Sequence, residues 1–573
     1  KPAFAFIRDV PTDWERTVVP QAVIGDYCVF ARQERDGEDW YLGAVTDEEP
    51  RTVEVALSFL TPGRKYTAQI YADGEGADWK TNPYAVEITE REVGADDRLT
   101  IRMASAAAPS GSRPKKPNRT MKRITLVAWA LLAVLTAGAG ERVRRGTVRC
   151  EGRGVEGVVV TDGTHCVRTD ARGRFALPRT EDARFVYLST PAGYDSPVEE
   201  HVVRFFLPVD DARRSYDFEL RREAADRTRH GFVVVADPQV FGEFALLARA
   251  ADDIRATAEE ADRPFHGICV GDLIAGDHTF YPQYNETMAR TGLAFRNAMG
   301  NHDMKIWGRS YESSLRAFED VYGPSHYSYN VGKVHYVVLN DNFFIGRDWY
   351  YIGYLEERQL AWLERDLACV APGSTGVGAI HIPTAFRGKD GQPFDYAKAA
   401  KTLANYKALH RLLEPYRAHI VSGHLHTTTN CEIGERLYEH NVAALSGAWW
   451  QGAICTDGTP AGYAVFEIDG DRVSWYYKSV GLPREVQMKL YDGGDDPAFA
   501  GRIVANVWNC DAAWRVEMRA DGGEPSQLVH KWITVVPSDH YYAAPLPAGT
   551  RHVEVTARDR FGNVWRAEKK IEQ

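Results

Sequence analysis

Apolar and polar positions alternate in short runs over residues 1–104, with turn-forming clusters between them. This period of two predicts strands at 27–32, 40–46, 52–58, 66–71, 85–88 and 98–103, arranged as a small antiparallel sandwich. The pattern returns at 141–222, where Gly-rich turns interrupt it, and again near the carboxyl end at 485–490, 502–506, 514–519, 552–557 and 564–569. Between these stretches the chain reads differently. Strand-like runs at 231–236, 266–270, 294–299, 334–340, 377–382 and 419–422 alternate with helical stretches at 243–261, 313–321, 355–368 and 398–416. Leu355, Gln359, Leu360, Trp362, Leu363 and Leu367 show the helical spacing. Strands alternating with helices predict mainly parallel sheets covered by helices, whose ligands gather beyond the carboxyl ends of the strands. The expected fold is multidomain: an α/β core with helices sandwiching its β-sheets, flanked by antiparallel β-sandwich domains.

Length and charge narrow the functional classes. A chain of 573 residues holds several domains of roughly 100–200 residues. Its net charge of −10 provides no basic field for a phosphate backbone, so nucleic acid is not an expected partner. The eight cysteines show no CxxC or zinc-finger spacing and read as buried thiols, with Cys150–Cys166 and Cys431–Cys455 the pairs to test for bridges. Residues 105–120 have a linker composition. Met121-Lys122-Arg123 then precedes an apolar run, 124–139, that closes on Ala137-Gly138-Ala139, the layout of a secretory signal peptide. The run is shorter than the ~20 residues a spanning helix needs, so a membrane segment is the second reading and a buried helix the third. In mid-chain, the preferred reading is a fusion of two neighbouring reading frames. Met121 would then be the natural start of an exported enzyme, periplasmic or at the surface of a bacterium. A membrane is a partner only if 124–139 stay uncleaved. The expected domains are 1–104, linker 105–120, signal-like or membrane segment 121–140, sandwich 141–222, core 228–446 and carboxyl-terminal sandwich 447–573.

The chemistry lies in five short blocks of the core, each following a predicted strand: Asp237-Pro238-Gln239, Gly271-Asp272, Gly300-Asn301-His302-Asp303, His381, and Gly423-His424-Leu425-His426. Together they offer carboxylates, one or two amides and several imidazoles, a donor mixture suited to zinc, iron or manganese. A carboxylate such as Asp272 can bridge two ions with its two oxygens. In order and spacing the blocks resemble the signature of the calcineurin-like metallophosphoesterases over about residues 230–446. The resemblance implies a centre of two divalent or trivalent ions. Asp237 and His426 would hold the first, Asp272 would bridge, and Asn301, His381 and His424 would hold the second. His302 would face the phosphoryl group as the acid, with Asp303 orienting its ring. Gln239 stands where the family usually has histidine, a DPQ variant that occurs in a subgroup this chain resembles. It reads either as a ligand of the first metal or as a hydrogen-bond partner of one.

The implied reaction is metal-dependent hydrolysis of a phosphate monoester or diester, on a small molecule or on a phosphorylated glycan, lipid or protein. The alternative is a noncatalytic carbohydrate- or surface-binding protein with a degenerate phosphoesterase core. Arg387 and Lys389, and the aromatic residues Tyr281, Tyr284, Trp307, Trp349, Tyr350 and Tyr351, are candidates for substrate contact; solvated loop charges and packing are the plainer readings. The flanking segments carry resemblances of their own. The stretch beginning VPTDWERTVVPQAVIGDY resembles the carboxyl-terminal β-domain of glycoside hydrolase family 97. It does so without that family's catalytic barrel, carboxylates or calcium site, so no glycosidase activity is carried over. Trp14, Trp40 and Trp79 read as packing more readily than as a sugar site. GTVRCEGRGVEGVVVTDG resembles transthyretin-like sandwiches attached to exported enzymes. WWQGAICTDGTPAGY resembles the carboxyl-terminal domain of exported bacterial phosphoesterases, with Asp457 and Tyr463 expected to face the cleft and Gly458 and Pro460 to form turns.

Overall fold

A computed structural model describes residues 10–104 apart from 12, 24–25, 36, 47–48, 75–76 and 78–84, the backbone of 122–125, and 143–571 apart from 211, 306, 347–349, 386–399, 449–451, 453 and 531–539. The linker, nearly all of the signal-like segment, Trp79, Trp349, Arg387 and Lys389 lie outside the described residues. The chain divides into two compact units, Lys1–Gly140 and Glu141–Gln573.

In the first unit the alternating pattern forms a six-stranded sheet in the order Trp14–Val23, Tyr27–Glu34, Trp40–Thr46, Lys122–Thr125, Tyr66–Asp73 and Val86–Val93. A second pair, Arg51–Ala56 with Arg98–Met103, supplies the facing apolar side chains. Val29, Leu42, Val55, Tyr66 and Ile101 are among the buried residues that make the core. The sequence reading missed Trp14–Val23, which interrupts its alternation at Pro20. The register shifts between Val18 and Gln21, a bulge where a residue lacking an N–H is tolerated. Lys122–Thr125, at the start of the segment read from sequence as signal-like, pairs in parallel with Trp40–Thr46 and Tyr66–Asp73. Trp40 is buried, and Trp14 packs edge-on against Tyr41 at 5.3 Å, so both serve packing.

The second unit begins with a sandwich. One sheet is built on Val143–Cys150 and Phe218–Arg222, the other on Val159–Thr161 and Phe185–Ser189, around Val148, Val160, Leu177, Val186 and Leu220. The α/β core follows as two facing sheets. The first runs Phe295–Asn297, Phe265–Cys269, Arg229–Val235, Gly462–Asp469, Arg472–Ser479; the second runs Tyr327–Val331, Val334–Val338, Thr375–Ala379, Arg417–Ser422, Leu437–Asn441, Thr429–Glu432. The strands leading to the five blocks are parallel within each sheet. Phe232, Val234, Ile268, Tyr336, Val338, Ala379 and Ile420 pack between the sheets, while Val233, Val235 and Cys269 bury the other face beneath Leu247, Ile254 and Phe318. Burial on both faces accounts for the unbroken β-branched run Val233-Val234-Val235. The helix Tyr311–Tyr322 starts at a Ser310 cap with Ser313 returning the bond, and ends on Gly323 at φ 80°.

The core extends past the expected limit at 446. Gly462–Asp469 pairs antiparallel with Arg229–Val235 and carries Arg472–Ser479 with it, so the carboxyl-terminal sandwich begins near Met488. That sandwich packs Ile503, Ala505, Val516, Val553 and Val555 between two four-stranded sheets. Cys150, Cys166 and Cys455 are free thiols, so neither Cys150–Cys166 nor Cys431–Cys455 is bridged. Among the described residues no helix is long and apolar enough to cross a membrane.

Candidate metal centre

Each block leaves the carboxyl end of a parallel strand and turns at once. The turns are tight enough to force L-residues into the left-handed region: Asp237 (φ 48°), Gln239 (39°), Asp272 (53°), His424 (71°) and His426 (54°). Such conformations cost of order 1–3 kcal/mol each and persist where surrounding structure holds them. Here the holding is visible. Gln239 N–H donates to the Asp272 carbonyl at 2.8 Å, and Ser446 N–H donates to the Asp237 carbonyl at 3.1 Å. Close approach is possible because glycines face the carboxylates. A Cβ on Gly423 would lie 2.4 Å from Asp237 Oδ2, and one on Gly300 would lie 2.2 Å from Asp272 Oδ1.

All of the predicted site residues converge. Asp272 Oδ1, His381 Nε2 and His424 Nδ1 form a cluster in which His381 Nε2 lies 3.4 Å from Asp272 Oδ1 and 3.1 Å from His424 Nδ1, and Asn301 Oδ1 is 3.0 Å from the same His381 nitrogen. Beside it, His426 Nε2 stands 3.5 Å from Asp237 Oδ1, a buried carboxylate oxygen. Gln239 places Nε2 2.8 Å from Asp272 Oδ2, and its Oε1 lies 3.4 Å from the Ser446 hydroxyl. His302 is the most open of the group, 36% exposed, with Nε2 4.0 Å from Asp272 Oδ2 and its N–H donating to Asp272 Oδ1 at 2.8 Å.

Each inward-facing imidazole has its other nitrogen on a backbone carbonyl: His381 Nδ1 on Val270 (2.8 Å), His424 Nε2 on Ala400 (2.7 Å) and His426 Nδ1 on Gly447 (2.9 Å). A carbonyl only accepts, so those nitrogens carry a proton, and in the neutral form of each ring the lone pair of the other nitrogen points into the centre, the orientation metal-ligating histidines adopt. Charge tells the same story. Burial opposes a charged His381, yet Asp272, Asp237 and Asp341 outweigh it and bring its pKa up to about 10. Burial, then the charge on His381, lowers His424 to about 4. Burial pushes against the Asp272 carboxylate, but the facing His381 and His302 hold its pKa far below the usual range. The carboxylates thus draw positive charge into a dry site, and the proton on His381 supplies it. A bound cation answers the same demand, and the oxygen and imidazole donors fit one.

Two expectations change, for Asp303 and for Asp457 with Tyr463, while the packing reading of Tyr281 and Tyr284 holds. Asp303 does not orient the His302 ring: its buried carboxylate accepts from Gly300 N–H, Leu273 N–H and the Tyr281 hydroxyl, so it braces the turn that presents His302. Burial and then the Asp272 charge raise its pKa to about 7. Tyr281 and Tyr284 are both 1% exposed and belong to the core. Asp457 and Tyr463 are buried too: Asp457 joins Thr428 N–H to His540, and the Tyr463 hydroxyl bonds Asp253, so neither faces the cleft. Trp307 is 66% exposed. Tyr350 donates to the Asn301 carbonyl, and Tyr351 lies edge-on to His424 at 6.0 Å. Sequence reasoning passed over Asp341, whose two oxygens take the N–H groups of His381 and Ile382, and Glu439, which accepts from Thr384 and Ala385 in the next turn. Their hold is on backbone, which no ligand motif records.

Family models match segments on either side of these blocks. The amino-terminal domain of calcineurin-like phosphoesterases matches residues 142–223, and their carboxyl-terminal domain matches 439–532. The chain carries calcineurin-like phosphoesterase domains. The family those domains belong to implies divalent metal ions. The carboxyl-terminal, oligomerisation domain of glycosyl hydrolase 97 matches residues 13–108, ahead of the phosphoesterase domains. A retaining α-galactosidase of Bacteroides thetaiotaomicron is 35% identical over 100 residues, 18% of this chain and 14% of that protein. A glycoside hydrolase family 97 enzyme from Pseudoalteromonas sp. strain K8, solved with acarbose, is 50% identical over 18% of this chain and 17% of its own, with a TM-score of 0.18. A dimetal phosphatase from Danio rerio is 16% identical over 44% of this chain and 96% of its own, with a TM-score of 0.31. The chain thus spans under a fifth of the length of the glycosidase relatives it matches.

Proposed function

We propose that the phosphoesterase hydrolyses a phosphate monoester or diester at a centre of two divalent or trivalent ions. Asp237 and His426 would hold one, Asn301, His381 and His424 the other, and Asp272 would bridge them. The observation that carries this reading is the set of three imidazoles, each fixed outward on a backbone carbonyl, with the inner nitrogens of His381 and His426 turned toward buried carboxylate oxygens and that of His424 grouped with His381 and Asp272 within 4.8 Å. When bound, such ions lower the pKa of water toward neutrality and withdraw charge from phosphoryl oxygens.

The chain's own groups do the rest. The left-handed turns and the carbonyl props hold the donors in place before substrate arrives, so little reorganisation is left for the reaction. His302, braced by Asp303 through the turn and open to solvent, is placed to hold a proton for the departing ester oxygen, a role typically worth about 10²–10⁴-fold. Tyr350 and Tyr351 border the centre and present rings to the group attached to the phosphate. We read the substrate as a small phosphate ester or a phosphorylated glycan, lipid or protein. We also read the enzyme as exported, which mass spectrometry of the native amino terminus would establish.

The test is metal analysis with p-nitrophenyl phosphate and bis-p-nitrophenyl phosphate assays on the parent and two variants. Asp272→Asn should lose both turnover and metal. His302→Ala should keep its metal and lose about 10²–10⁴-fold in rate. A His302→Ala enzyme with the parent rate would refute the acid role, and an inert parent with both ions bound would refute hydrolysis.

A further inference from the structure

We infer that the two ion positions are unequal: Gln239 steadies the bridging carboxylate rather than ligating, so the Asp237–His426 position is the loosely held one. The inference rests on the dinuclear reading above. Gln239 is tied alongside Asp272 by its own backbone, N–H to carbonyl at 2.8 Å, and its side chain continues in the same direction to Asp272 Oδ2 at 2.8 Å. A carboxylate oxygen only accepts, so the amide end facing it is the NH₂ group. The carbonyl end then lies toward Ser446, whose hydroxyl donates to it at 3.4 Å. Reversing the amide would set two acceptors against each other at Asp272. In this orientation the amide contributes no oxygen to an ion shared with Asp272.

The donor sets that remain are dissimilar. One position has Asn301, His381 and His424 besides the bridge, with both rings fixed on carbonyls and their inner nitrogens 3.1 Å apart. The other has Asp237 and His426 besides the bridge, one imidazole and one terminal carboxylate. Fewer terminal ligands and fewer imidazoles mean weaker holding of an imidazole-preferring ion. The protein at rest then keeps one ion, and the second joins as free metal rises.

The test uses the full chain, stripped with a chelator and titrated with Co²⁺ by calorimetry and visible absorption. Two phases should appear, separated by about tenfold or more in Kd, with one equivalent surviving gel filtration in metal-free buffer. Asp237→Ala should remove the weaker phase alone. Gln239→His should tighten the weaker phase by about tenfold or more and retain two equivalents. Gln239→Ala guards against misreading: loss of a brace on the bridge weakens both phases together, whereas selective loss of the weaker phase would mean that Gln239 ligates, and would overturn the inference. Two equivalents held tightly by the parent, or a weaker phase unmoved in Gln239→His, would also overturn it and leave the dinuclear centre standing. No binding by the parent, or parent-like binding by His381→Ala, would bring down the proposed function and this inference with it.

Discussion

Replacing Gly300 by alanine separates two reasons for the glycine of the Gly300-Asn301-His302-Asp303 turn, space and flexibility. Gly300 has φ −104° and ψ 176°, an extended backbone that alanine adopts without strain. Its α-carbon, however, faces Asp272. An added Cβ would lie 2.1 Å from the Asp272 amide nitrogen and 2.2 Å from Oδ1. Non-bonded carbon contacts are comfortable at about 3.5–4 Å, so the two turns must part by more than ~1 Å, and no side-chain rotation can absorb a backbone clash. That displacement would pull Asp272 from the His302 N–H it accepts at 2.8 Å and Gly300 from its 2.9 Å bond to Asp303. Overpacking of this kind costs about 1–3 kcal/mol, and each kcal/mol lowers Tm by about 2–4 °C in a domain of roughly 150–250 residues. A misplacement of ~1 Å at reacting groups costs about 10²-fold in rate. Gly300→Ala should therefore melt several degrees lower, retain less metal and hydrolyse p-nitrophenyl phosphate about a hundredfold more slowly. The assays are differential scanning fluorimetry, metal analysis after gel filtration, and steady-state kinetics. A variant with unchanged Tm, full metal content and a rate within about threefold of the parent would show that the turn yields at no cost, and the close-approach argument would fall.

Two further predictions concern groups outside the ligand set. Tyr350→Phe removes the hydroxyl that donates to the Asn301 carbonyl; metal affinity should fall by about tenfold with little change in Tm, and unchanged affinity in a calorimetric titration would refute the link. His230, His266 and His440 are buried and neutral: burial lowers His230 to about 4 and drives the other two well below the ordinary imidazole value. Their folded pKa values lie below the unfolded ~6.5, so the unfolded chain binds more protons once pH drops beneath that value. Stability is then complete above about pH 6.5 and declines by up to ~1.4 kcal/mol per pH unit for each group until its folded pKa is reached. Asp303, Asp341 and Glu439, whose pKa values burial raises to about 7, work in the opposite sense over this range, so the contribution is read by difference: between about pH 7.5 and 5 the Tm of the parent should fall relative to that of His266→Phe, and parallel profiles would refute the assignment.

The centre was readable in sequence because its information is local. Asp237, Asp272, Asn301, His381, His424 and His426 each follow a β-branched or apolar run by one to four residues, and the parallel order of those runs puts all their carboxyl ends on one edge. What was misread depends on partners distant in the chain. Nothing in Gly462–Asp469 says that it joins Arg229–Val235 rather than the strands that follow it, since an antiparallel edge strand has the same alternation in either sheet. A carboxylate beside His302 can serve the ring or the turn, and the choice at Asp303 is made by Leu273 N–H and Tyr281, neither adjacent in sequence. Tyr281 and Tyr284 were open to packing or to substrate contact, with packing the plainer reading, because the helix Tyr281–Ala289 is too short to declare a buried face. Gln239 is the informative case. Its residue type left ligand and hydrogen-bond partner both open, with ligand the favoured reading. The inference about it turns on one acceptor, Asp272 Oδ2, lying where only the NH₂ end of the amide can meet it. The residue that departs from the commoner motif is therefore the one whose role geometry, not residue type, decides, and measuring how tightly each ion is held addresses that role more directly than any rate.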